Sequence, residues 1–135
     1  MIEMRKLSIA IACVVFTGCY TTPVSNSQAK STPAMKWSSP AEGYATLVVK
    51  RDSGFMGAAC KAAVYVSGDQ IGSIGPSDKV TVYLPPGEYI IGARNGSLCG
   101  GAVSEASVVL AANAHKNYRI AIGDMGAIHL QPTAF

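Results

Sequence analysis

The sequence predicts an all-β fold, a small β-sandwich of about seven to eight mainly antiparallel strands that follows a signal peptide and a flexible linker. Three observations predict it. Beyond Pro40, apolar and β-branched residues recur at every second position in runs of five to eight, the spacing that puts one face of a strand on a core. Gly, Pro, Asn and Asp separate these runs at short intervals, as they do in sandwiches and barrels. No stretch past Cys19 shows the 3.6-residue spacing of an amphipathic helix.

The first 18 residues have the form of an export signal. Arg5 and Lys6 precede an apolar run from Leu7 to Gly18, a basic n-region and an apolar h-region. The run is too short to cross a bilayer, which takes about 20 apolar residues. It ends in Phe16-Thr17-Gly18-Cys19, which resembles the bacterial lipobox. That resemblance implies cleavage before Cys19 and lipid attachment through its sulfur and its new amino group. Several acyl chains give a stable anchor where one gives only a reversible one. Tyr20, rather than Asp, follows the cysteine, so the expected destination is the outer membrane of a diderm bacterium. Residues 19–40 are rich in Ser, Thr, Pro, Asn, Gln and Ala and read as the lipidated cysteine and a flexible linker, with too little apolar area to offset ordering. Trp37 is a candidate for interfacial contact or for capping the first strand.

The folded domain is expected over residues 41–135. Its strands are placed at Tyr44–Arg51, Ala62–Ser67, Gln70–Ile74, Lys79–Leu84, Tyr89–Arg94, Glu105–Leu110, Tyr118–Gly123 and Ala127–Gln131. Ser67-Gly68-Asp69-Gln70 reads as a hairpin turn, with glycine free to take positive φ. Pro85-Pro86-Gly87-Glu88 reads as a tight reversal, proline fixing φ and glycine supplying the unusual dihedral. Ser104–Ala114 is rich in alanine, but Val108 and Val109 favour a strand. Asp124-Met125-Gly126 reads as the turn before the last strand.

Of four cysteines, Cys13 leaves with the leader and Cys19 carries the lipid, so Cys60 and Cys99 remain. In an oxidising compartment an even pair in a small β domain reads as a disulfide. Metal binding is disfavoured, because only His115 and His129 could join the two thiols, without the ligand spacing of a zinc site. The cleaved chain carries 9 Lys and Arg against 7 Asp and Glu. No basic stripe interleaved with aromatics is present, which argues against nucleic acid as a partner. No G-x-S-x-G elbow occurs, and the acids at 42, 52, 69, 78, 88, 105 and 124 fall mostly in predicted turns. Neither an enzyme nor a cofactor is expected.

The segment from Arg51 to Pro132 resembles small bacterial lipoproteins with a DUF2846-type or PEGA-like β domain. The resemblance is carried by Val64-Tyr65-Val66-Ser67-Gly68-Asp69-Gln70-Ile71-Gly72, by Leu84-Pro85-Pro86-Gly87-Glu88-Tyr89 and by His115-Lys116-Asn117-Tyr118-Arg119-Ile120. Asn113 and Ala114 depart from the acidic or glycine-containing loop of that group. The resemblance strengthens the disulfide reading and implies an envelope-exposed accessory or binding module. The expected function is therefore that of an outer-membrane-anchored, non-catalytic lipoprotein, with an envelope protein or a peptidoglycan-linked component as partner. The alternative is a periplasmic inhibitor or immunity protein that blocks a lysozyme or toxin. Phe55 and Met56, in the glycine-rich loop before Cys60, are the candidate contact residues.

Overall fold

The computed structural model describes residues 21–55, 57–96 and 99–135. Cleavage, lipidation at Cys19 and the side chain of Met56 lie outside the described residues. Nine strands are found among those described: β1 (Lys30–Thr32), β2 (Ala45–Arg51), β3 (Ala62–Val66), β4 (Asp69–Ile74), β5 (Asp78–Leu84), β6 (Gly87–Asn95), β7 (Ser104–Leu110), β8 (His115–Ile122) and β9 (Ile128–Pro132). The sole helical turn among the described residues is the 3₁₀ segment Asp124–Gly126. The strands form two sheets, ordered β1-β5-β2-β8-β9 and β4-β3-β6-β7. Pairing is antiparallel except for β1 with β5 and β2 with β8. The chain is an all-β sandwich.

Alternation along the strands builds the core. Leu47 and Val49 of β2, Val80, Val82 and Leu84 of β5, and Ile120 and Ile122 of β8 point inward from the first sheet. Val64, Val66, Ile71, Ile74, Ile91 and Leu110 meet them from the second. The β3–β4 turn has Ser67 at φ 46° and Gly68 at φ 87°, the two positive values a two-residue hairpin loop needs to match strand twist. Gly72 marks a close approach of the sheets, since a methyl there would sit 3.2 Å from Val80 Cγ2.

Two expectations require correction. The reading of residues 19–40 as a flexible linker fails for residues 21–37, which lie along the domain. Val24 and Ala29 are buried, β1 joins the first sheet, and Trp37 packs against the core cluster while its carbonyl accepts from Tyr83 N at 2.9 Å. Docking relies on main-chain hydrogen bonds, Lys30 N to Ser77 O at 2.8 Å and Met35 N to Ile71 O at 2.8 Å, which side-chain composition does not report. The second correction concerns Pro85-Pro86-Gly87. It does not fold β6 back onto β5, because the two strands belong to different sheets. The prolines carry the chain across the sandwich, and Gly87 stays outside the left-handed region.

Candidate functional site

The last two residues of β2 and the one that follows it are charged, Lys50, Arg51 and Asp52, each only 1% exposed. Burial of so much charge requires compensating partners, and each side chain has them. Arg51 points into one end of the sandwich and donates to Cys60 O at 2.5 Å, Gly57 O at 2.8 Å and Ile74 O at 3.4 Å. It thereby fastens the loop after β2 to the end of β4. Burial disfavours its charge, and the carboxylate of Asp78 partly offsets that effect. Lys50 faces the other way, donating to the main-chain oxygen of Phe135. Burial, and then the neighbouring charge of Lys79, lowers its pKa from 10.5 against the opposing pull of Asp52.

Asp52 is the centre of a compact knot. It accepts from Arg119 Nε at 3.0 Å and Arg119 Nη2 at 2.6 Å, a bidentate geometry that fixes both planes. It also accepts from Thr21 Oγ1 at 2.9 Å, and that hydroxyl in turn accepts from Ile122 N at 3.0 Å. Beside it Thr22 and Ser53 exchange main-chain hydrogen bonds of 3.0 and 2.8 Å. The knot ties the first described residues to the ends of β2 and β8.

Cys60 and Cys99 form a disulfide with Cα atoms 6.2 Å apart, within the range such bridges span. It staples the loop after β2 to the loop between β6 and β7. Phe55, from the first of these loops, is 80% exposed, as a contact residue would be. The 3₁₀ turn stands at the same end, held by Asn95 Nδ2 donating to Gly126 O at 2.9 Å, and its Met125 is 103% exposed. His115 and His129 are not brought together. They lie toward opposite ends of β8, opposite Thr46 of β2 and Ala121 respectively.

A shallow groove of about 240 Å³ lies on the outer face of the second sheet. The ladder puts Tyr65, Gly92 and Glu105 in one row across β3, β6 and β7. Gly92 leaves the floor open, for a methyl on it would meet Tyr65 Cβ, Val103 Cγ1 and Glu105 Cγ at 3.6 to 3.7 Å. Arg94 stacks 5.6 Å from the Tyr65 ring centroid and donates from Nε to its hydroxyl at 3.0 Å. A flat cation on an aromatic ring, faced by a carboxylate across an open floor, suits a ligand with both polar and apolar edges. Sequence reading missed this row, although Tyr65, Ile90 and Arg94 alternate with the inward positions of their strands. It also missed the Asp52 knot, for which the signal was the Lys50-Arg51-Asp52 run in a chain only 14% charged.

No protein-family model matches this chain, and no curated protein matches it either.

Proposed function

We propose that the chain is a non-catalytic, lipid-anchored binding module of the bacterial outer membrane, related to the DUF2846-type or PEGA-like lipoproteins that its turn motifs resemble. The observation that carries this reading is the Cys60–Cys99 disulfide. Such a bridge belongs to an oxidising compartment, the destination toward which the leader and the Phe16-Thr17-Gly18-Cys19 motif would send the chain. The Tyr65–Arg94–Glu105 groove supports recognition of another envelope component, a protein or a peptidoglycan-linked glycan.

Palmitate labelling and membrane fractionation of the wild type and Cys19→Ala test the anchor. Label and membrane association should both disappear in the variant, and retention of either overturns the lipoprotein reading. A photo-crosslinker at Glu105 then tests the groove in living cells. Crosslinks to an outer-membrane or peptidoglycan-linked component support the module, while a tight complex with one secreted hydrolase or toxin redirects the reading to inhibition.

A further inference from the structure

We propose that the disulfide-bearing end of the sandwich rests directly on the lipid surface, with Phe55 and Met125 entering the boundary between headgroups and acyl chains. This rests on the reading that Cys19 is acylated. The position of that cysteine relative to the knot decides the geometry. Cys19 is two residues from Thr21, a span of at most about 7 Å. Thr21 is itself fixed to the domain through Asp52 and Ile122, and Thr22 through Ser53. The anchor therefore holds one particular end of the domain at the headgroup level.

That end carries the two most exposed large apolar side chains of the described residues. Thr21 Cγ2 would lie 3.4 Å from a methyl on Gly54, so Phe55 follows one residue beyond direct contact with the pinned segment. Ile122, whose amide bonds Thr21, leads through Gly123 into the turn that projects Met125. Phe55 and Met125 thus flank Thr21, the first described residue after the anchor. Phe and Met placed beside acyl chains are anchors of the kind that interfacial proteins use. Lys61 and Asp124, exposed next to Cys60 and Met125 in the chain, are of opposite sign, so contact should be apolar rather than driven by anionic lipid. Val109, equally apolar and 70% exposed, pairs with Glu88 at the other end of β6. It should remain in water.

The test uses the full lipidated protein purified in detergent and returned to phosphatidylethanolamine–phosphatidylglycerol vesicles with brominated acyl chains. An environment-sensitive fluorophore is attached at Met125→Cys, or at Val109→Cys as the control; both native side chains are exposed, so neither label disturbs packing. The expected result is a blue shift and loss of most emission at position 125, none at 109, and no change on adding salt. Palmitate-labelled protein that floats with vesicles, yet is unquenched at 125 or equally quenched at both positions, overturns the docking and leaves the anchor standing. Failure of palmitate labelling overturns the anchor and the docking together. A blue shift at 125 that bromine does not quench, and that depends on protein concentration, assigns the face to a second copy and also overturns the proposal.

Discussion

Replacing Asp52 by alanine removes three hydrogen bonds at once, two from Arg119 and one from Thr21. Deleting one partner of a buried ion pair costs about 3–5 kcal/mol when the other charge is left without water. Arg119 is 20% exposed and Asp52 only 1%, so the stranded guanidinium regains part of its hydration. The loss for Asp52→Ala should thus lie near the lower bound, about 3 kcal/mol, or a melting temperature lowered by on the order of 10 °C for a domain of this size. Arg119→Ala should cost more, because it strands the deeply buried partner. The double variant Asp52→Ala/Arg119→Ala should be less destabilised than the sum of the two. Thermal melts of the purified variants measure all three, and hydrogen exchange adds a local readout. The Ile122 amide, which loses the orientation of its Thr21 acceptor, should exchange faster in Asp52→Ala. A loss below about 1 kcal/mol, or an Arg119→Ala variant more stable than Asp52→Ala, would refute the account of the knot.

Removing the disulfide frees a loop of 40 residues between Cys60 and Cys99 inclusive, for which loop-closure entropy predicts a loss of about 4 kcal/mol. Denaturant titration of Cys60→Ala/Cys99→Ala measures that loss, and thiol counting on unfolded, unreduced wild type should find neither cysteine free. Lys50→Met tests the buried ammonium. Folded Lys50 releases its proton below the unfolded value of 10.5, so in the window under 10.5 the unfolded chain binds more protons and stability rises with pH. Wild type should therefore gain melting temperature relative to Lys50→Met as the pH rises toward 10.5, and a constant or shrinking difference contradicts the assignment.

The strands were legible because half-burial imposes period two, and each expected strand from Tyr44–Arg51 to Ala127–Gln131 overlaps an observed one. The Ser67-Gly68 turn was legible for the same local reason. Pro85-Pro86-Gly87 was not, since turn chemistry fixes dihedrals but does not choose which sheet the next strand joins. Residues 21–37 were illegible because much of their attachment uses main-chain groups that every residue carries, and the side chains that add to it, such as Thr21 on Asp52 and Asn26 on Asn117, meet partners far away in sequence. Lys50 would ordinarily mark the solvent face of β2. Only the tertiary arrangement, in which Lys79 Nζ reaches Asn26 O at 2.5 Å and Asn26 Nδ2 reaches Asn117 Oδ1 at 3.0 Å, reveals that the early segment covers that face. Composition could place Phe55 in a glycine-rich loop, but not its neighbour Gly54 against Thr21.

The difference between a linker and a strap changes what the anchored reading demands of a partner. A free tether of 20 flexible residues would have a root-mean-square span of about 25 Å and would let the domain present any face at a distance from the lipid. With Thr21 tied to Asp52 the reach falls to about 7 Å, and orientation is fixed along with height. The Tyr65–Arg94–Glu105 row then lies on the flank of a body seated at the membrane. A partner must approach along the membrane surface to meet it, which favours a component of the outer membrane itself or the peptidoglycan-linked layer next to it over a freely diffusing enzyme. Lengthening the chain between Cys19 and Thr21 would relax this restriction without altering the groove, so partner capture that improves on insertion of a flexible spacer would contradict the membrane-proximal arrangement.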